Sequence, residues 1–405
     1  MSNISLAEKM KAVHSDIRGP VFEEANRMRQ NGIDVLRLNT GNPGVFGFGL
    51  PESLRSAIAG RLDEAVPYCD LRGMPAARAA IFNYHKKKGL PNISEDDIFV
   101  GNGVSELVTM ALLPLLNPGD EVLIPAPDYS LWTNSVHIAG GTPVHYICDE
   151  QNFWYPDPAD IRARVTPKTK AILIINPNNP TGAVYPDEIL REIAQIAREN
   201  NLVVFADEIY DRLVMDGLKH TSMGTFCPDL FCVTFNGLSK SHIVCGFRCG
   251  WMIFSGNKAI AKDYIAGIRQ LAAMRLCANA IMQLAIPAAL EDEESTREML
   301  VPGGRLYEQR EACCSVLDTI DGLTYVKNHA AFYIFPKLDA KRFNITDDNQ
   351  FAFDYLHEKH VMIIPGRGFN WPQPDHFRIV MLPEPEALAD AMRKLKDFLA
   401  TYRQG

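Results

Sequence analysis

The sequence predicts an α/β fold: a large unit built on a mainly parallel sheet flanked by helices, with a smaller α+β unit behind it. Three observations carry this. Short apolar runs alternate with longer segments of helical period. Several of those runs end in polar or glycine-rich turns, where open α/β sheets place ligands. From about Gly303 onward the alternation gives way to one helix, short strands and a last helix.

The elements follow in order. Ile98–Val100, Glu121–Ile124, Ala171–Ile175, Leu202–Ala206 and Phe231–Phe235 are short runs rich in Val, Ile, Leu and Phe, the composition of strands covered on both faces. Tyr185–Asn200 and Ala259–Leu271 carry the helical period between or after them. Beyond Gly303 come a helix over Arg305–Ile320, strands at Leu323–Val326, Ala331–Pro336 and Phe377–Met381, and a helix over Glu386–Tyr402. The proline- and glycine-rich stretch from Gly41 to Pro51 links an N-terminal arm to the large unit. The expected domains are therefore 1–50, the arm and part of the small domain; 51–295, the large domain; and 296–405, the C-terminal small domain.

A chain of 405 residues exceeds the usual size of one hydrophobic core, which fits two units. A net charge of -8 argues against nucleic acid as a partner, because a phosphate backbone needs a basic face. The N-terminus lacks an apolar core of signal-peptide length, and no window reaches the roughly 18 apolar residues of a membrane span. The expectation is a cytoplasmic protein. Nine cysteines, without paired CxxC or HxxxH spacing, read as reduced structural thiols and give no metal site. Cys245 and Cys249, four apart, read as packing.

Four stretches carry chemistry. In FNGLSKSHIVCGFRCG, Lys240 stands among Leu238, Ser239, Ile243, Val244 and Phe247. A lysine of ordinary pKa, about 10.4, is neutral at pH 7 in about one part in a thousand or less. Burial among apolar neighbours is expected to disfavour its ammonium form and favour imine formation with an aldehyde. Arg248, bracketed by Gly246 and Gly250, offers a planar fork to a phosphate. In DIFVGNGVSELVTMALLPLL a strand turns at Gly101 and Gly103 into a helix beginning near Ser105, whose free N–H groups and hydroxyl suit an anion. Glu106 stands where a dinucleotide fingerprint needs its third glycine, so nicotinamide binding fits poorly. In ILIINPNNPTGAVY an apolar strand ends in a constrained turn that presents asparagine amides, Asn179 among them. In LVVFADEIYDRL, Asp207 ends a strand and Tyr210 follows one turn later.

Taken singly, each has a plainer reading: a surface lysine, a strand-to-helix turn, a solvated loop, a helix cap. Together with Tyr129 in PAPDYSLW, a possible stacking ring, they comprise an anion turn, an amide, an acid with a phenol, a lysine and an arginine. Pyridoxal 5'-phosphate presents the matching phosphate, flat ring, phenolic oxygen, pyridine nitrogen and aldehyde.

On NPNNPTG, ADEIY, SKSHIVCGFRCGW, the tyrosine of VPYCDLRG and FRIV, in that spacing, the sequence resembles the fold type I pyridoxal-phosphate aminotransferases. DIRGP, LNTGNP and GGRLYEQR make it similar to their bacterial glutamate-pyruvate (alanine) branch. The resemblance implies a Schiff-base lysine at Lys240 that then serves as general base and acid, Asp207 at the pyridinium nitrogen, Asn179 and Tyr210 at the phenolic oxygen, and Tyr129 against the ring. It implies a phosphate site of Gly103, Val104, Ser105, Ser239 and Arg248, joined by Tyr68 across a homodimer interface. Arg378 would clamp the substrate carboxylate with Gly41 and Asn179, and Arg18 would close the pocket or meet the distal carboxylate of glutamate. The partners implied are amino acids and 2-oxo acids, with no nucleic acid and no membrane. Gly237 departs from the serine many relatives carry three residues before the lysine, which leaves the phosphate to lean more on Ser239 and Arg248. Competing expectations are a C–S β-lyase on the same cofactor residues, an aminotransferase for aromatic or branched amino acids, and a non-catalytic regulator on this fold, for which the N-terminus offers no DNA-binding segment.

Overall fold

The computed structural model describes residues 4–405; the first three residues of the expected N-terminal arm lie outside the described part. Its centre is an eight-stranded sheet. The order across it is Ile98–Gly101, Gly250–Gly256, Phe231–Gly237, Val203–Asp207, Thr169–Ile175, Glu121–Ala126, Thr142–Asp149 and Tyr155–Pro156. The five strands from Phe231–Gly237 to Thr142–Asp149 are mutually parallel. Gly250–Gly256 runs antiparallel to both neighbours, and the short edge strand Tyr155–Pro156 is antiparallel as well. The mainly parallel α/β sheet expected from the sequence is present, with one strand reversed inside it.

The strands are apolar on both faces because both faces are covered. Leu123, Ile172, Ile174, Val204 and Ala206 point into one buried cluster, and Val122, Ile124, Leu173, Phe205 and Val233 point into the other. That alternation is the two-residue period of a strand. The helix Asp187–Glu199 buries Leu190, Ile193, Ala194 and Ala197 on the first face, an i, i+3, i+4, i+7 stripe. Each of its fully buried Leu and Ile side chains contributes roughly 1.5–3 kcal/mol. On the second face lie the helices Val104–Leu112 and Lys262–Met274.

The C-terminal part holds the helix Arg305–Leu317 packed against Pro385–Thr401, and a three-stranded antiparallel sheet of Tyr333–Ile334, Phe377–Val380 and Ile364–Pro365. Its strands are shorter than the sequence suggests. Much of Ala331–Pro336 and Leu323–Val326 is buried or half-buried loop rather than paired strand. The N-terminal segment joins this part: the helix Pro20–Gln30 packs on Asp348–Lys359, and Leu36–Arg37 pairs in parallel with Val361–Met362. Among the described residues no helix is long and apolar enough to cross a membrane.

Candidate active site

The parallel strands end along one edge, and a cavity of about 480 Å³ opens there. Strand Thr169–Ile175 delivers Ile175 to it and passes into the Asn176–Gly182 turn; strand Val203–Asp207 delivers Asp207; strand Phe231–Gly237 leads directly into Ser239 and Lys240. The C-terminal sheet supplies Tyr333 and Arg378 from the opposite wall, and Ile17, Arg18 and Gly41 come from the N-terminal segment.

Lys240 Nζ donates to the Gly41 carbonyl at 2.7 Å and lies 3.8 Å from Cys245 Sγ. The sequence suggested that burial depresses the proton affinity of this lysine. Burial does act in that direction and is the largest single influence, but the Tyr333 phenol, the Cys245 thiol and the Tyr129 phenol outweigh it and raise the pKa above its ordinary value. The neighbours that decide the matter are brought by folding and are not the apolar residues flanking Lys240 in sequence.

Asp207 is 4% exposed, and burial pushes its carboxyl up to about 6, against hydrogen bonds from the Trp132 indole at 2.8 Å and the Ile209 backbone N–H at 3.3 Å. It has no cationic partner among the described residues. Tyr210 is buried beside it, its hydroxyl 2.7 Å from that of Tyr333. Of the three asparagines in the turn, Asn176 and Asn178 spend their side-chain oxygens on the turn itself, accepting from Tyr185 and Thr181 N–H groups. Asn179 points into the cavity, where its Oδ1 accepts from Arg378 Nη1 at 3.0 Å.

Arg378 is 2% exposed and forms no ion pair among the described residues. Besides Asn179 it donates to the Asn39 carbonyl, and its Nε is buried without a partner. The rings of Tyr333 and Phe369 each lie 4.5 Å from the guanidinium carbon. Burial lowers its pKa. A buried guanidinium with no counter-ion is costly unless an anion completes it.

At the other end, the helix Val104–Leu112 opens on Gly103 at φ +87, and Val104 and Ser105 line the cavity. A Cβ on Gly103 would lie 2.2 Å from Arg248 Nη2, so only glycine lets the guanidinium approach this helix start. Arg248, itself in the left-handed region at φ +52, donates to the Cys245 carbonyl at 3.0 Å and has no acidic partner among the described residues. The absent serine at 237 has a steric reason: a Cβ there would stand 2.6 Å from the Cys249 carbonyl oxygen. Glu106 binds Arg275 at 2.7 Å and the Asn102 N–H, a structural use.

The cavity thus brings together Lys240, Asp207, Tyr210, Asn179, Tyr129 and Ser239 with Val104, Ser105, Arg248, Gly41, Arg18 and Arg378; Gly103 borders it. Tyr68 does not line the cavity of its own chain and is 79% exposed. Sequence reading missed three neighbours. Trp132 sat unused in PAPDYSLW, Tyr333 sat inside an apolar run, and Cys245, read as packing, lines the cavity while Cys249 is buried.

A lysine and a buried acid at neighbouring strand ends, facing an arginine with no ion-pair partner among the described residues, suit chemistry on amino acids, and the chain belongs to the aminotransferases of class I and II, whose family profile matches residues 33–395. Among its relatives, the glutamate-pyruvate aminotransferase of Escherichia coli K12 is 50% identical over 404 residues, covering 100% of both chains. A crystal structure of an aminotransferase from Escherichia coli superimposes with a TM-score of 0.98 at 49% identity, again over 100% of both. The alanine aminotransferase of Pyrococcus furiosus gives 0.93 at 37% identity, covering 98% of this chain and 100% of its own.

Proposed function

We propose that this aminotransferase uses pyridoxal 5'-phosphate to exchange the amino group between L-alanine, or a similarly small neutral amino acid, and 2-oxoglutarate, giving pyruvate and L-glutamate in ping-pong fashion. The observation that carries the reading is Arg378, a buried cation with no acidic partner among the described residues, facing the Lys240 amine across one cavity. The residues fit the cofactor. Asp207 is a buried carboxyl with no cationic partner among the described residues, and Arg248 lies against a helix start that a Cβ on Gly103 would block. When bound, pyridoxal 5'-phosphate supplies an aldehyde that condenses with amines and a pyridinium ring that withdraws electrons from the substrate Cα.

The remaining work falls to this chain. Asp207 would pair with the ring nitrogen, Asn179 and Tyr210 would donate to the phenolic oxygen, and Tyr129 would cover the ring. Val104, Ser105, Ser239 and Arg248 bind the phosphate with the Gly103 backbone, joined by Tyr68 from a second copy in a cytoplasmic homodimer. Arg378 binds the substrate carboxylate with two parallel hydrogen bonds, orienting the Cα–H bond toward Lys240. Lys240 Nζ, on the same cavity, would take up the substrate Cα proton and hold it for return, acting as general base and then general acid. A cavity of about 480 Å³ shared with the cofactor leaves space for a short side chain, and Arg18 at its mouth suits the distal carboxylate of glutamate. We assign the cofactor to the domain 51–295, with 1–50 and 296–405 forming the arm and the small domain that bring Arg18 and Arg378. The identity of the Escherichia coli relative, named for glutamate and pyruvate, supports the substrate pair.

The test is Lys240→Ala. The variant should lose the visible absorbance of bound cofactor and nearly all turnover, and a variant with normal turnover sinks the assignment. For the substrate pair, a donor panel against pyruvate and 2-oxoglutarate in which an aromatic amino acid outpaces alanine would refute it.

A further inference from the structure

Beyond its electrostatic influence on Lys240, the Tyr333 hydroxyl has no part in the roles given above, yet it sits at their junction. Tyr333 is 2% exposed and projects from the C-terminal sheet, where it pairs with Val380. Its hydroxyl is 2.7 Å from that of Tyr210, which follows the strand end of Asp207 in the large sheet. The two rings meet edge to face, centroids 5.7 Å apart. The same ring lies 4.5 Å from the Arg378 guanidinium carbon. Its oxygen also fills the space above Gly41, where a Cβ would stand only 2.2 Å away. One side chain therefore touches the phenol, the arginine and the backbone carbonyl segment around which the site is built.

We infer that Tyr333 is a positioning residue with two separable parts: its hydroxyl donates to Tyr210 and so aims the single Tyr210 proton at the cofactor's phenolic oxygen, while its ring holds the Arg378 fork in plane for the substrate carboxylate. The inference rests on the pyridoxal-phosphate reading. Each phenol carries one donor and two acceptor lone pairs. If Tyr210 donates outward, the 2.7 Å contact between the two hydroxyls must be made with the proton of Tyr333. Burial, with Tyr333 beside it, raises the Tyr210 pKa well above its ordinary value, so the phenol keeps its proton through neutral pH. For the ring, a cation held over an aromatic face loses less orientational freedom when it engages a planar anion.

Two substitutions separate the parts in the cofactor-loaded protein. Tyr333→Phe keeps the ring and removes the hydroxyl; Tyr333→Leu removes both. With the hydroxyl gone, Tyr210 becomes a less directed donor, and the pH midpoint of the bound cofactor's visible absorbance should move to higher pH in both variants. In the Phe variant kcat should fall about two- to tenfold while KM for alanine and for glutamate changes by less than about twofold. In the Leu variant KM for both should rise as well. An unmoved midpoint in the Phe variant overturns the hydroxyl's role whatever happens to kcat, and equal KM in the Phe and Leu variants overturns the ring's. Because Phe preserves the buried shape, its result stands even if the Leu variant folds poorly. Normal turnover in Lys240→Ala would instead defeat the parent reading, so the two failures are distinguishable.

Discussion

Arg378→Lys measures how much of substrate recognition depends on one planar fork. The guanidinium is fixed from four sides: Asn179 Oδ1 at 3.0 Å, the Asn39 carbonyl, and two rings at 4.5 Å on its faces. Its Nε is buried without a hydrogen-bond partner among the described residues. A carboxylate approaching this fork gains two charge-assisted hydrogen bonds, each worth about 1.5–3 kcal/mol. An ammonium at the same place keeps one of them and loses the stacking on Tyr333 and Phe369. The expected loss of transition-state binding is therefore about 1.5–3 kcal/mol, or roughly ten- to 150-fold in kcat/KM. Because every substrate of either half-reaction carries the same carboxylate, KM should rise for alanine, glutamate, pyruvate and 2-oxoglutarate together. Steady-state kinetics with each substrate varied against a saturating partner read this directly. Values of kcat/KM within about twofold of the parent for all four would refute the clamp.

Asp207 should leave a signature in the cofactor-free protein. Its carboxyl titrates at about 6 when folded and near 3.9 when unfolded, so the native state binds the extra proton between those values and stability falls as pH rises through that window. The penalty at pH 7 is about 3 kcal/mol. Asp207→Asn should abolish that slope and stabilise the cofactor-free protein at pH 7 while ending activity; urea melts from pH 4.5 to 7 that run parallel in both proteins would contradict it. Gly103→Ala should weaken cofactor binding about tenfold or more, since the methyl would strike Arg248 and strain a backbone at φ +87; an unchanged cofactor titration refutes the anion site. Arg18→Ala should raise KM for glutamate more than for alanine, and unchanged kinetics with both would remove Arg18 from the pocket's function.

The parallel strands were legible because both faces are covered, which writes an unbroken apolar run into the sequence. Thr142–Asp149 escaped because TPVHYICD mixes polar residues into a half-buried strand near the sheet edge. Gly250–Gly256 escaped for another reason: its first glycine reads as the bracket of Arg248, and nothing local encodes that a strand will run backwards between two others. Lys240, Asp207 and Arg248 could be read because each lies at a strand end or turn of unusual local composition. Tyr333 could not, since its meaning is its distance from Tyr210, in the turn after a strand of the other sheet, 123 positions away. The proton affinity of Lys240 was misjudged on the same ground, because the phenols and thiol that set it are gathered by topology.

The pairing of Leu36–Arg37 with Val361–Met362 also constrains how the molecule is made. On the ribosome the first of these segments emerges more than three hundred residues before the second, and the helix Pro20–Gln30 has to wait with Val21, Ala25 and Met28 uncovered until its late partner arrives. A segment synthesised early is thus among the last to be seated, and a nascent polypeptide interrupted before Val361 lacks the strand on which Leu36–Arg37 docks.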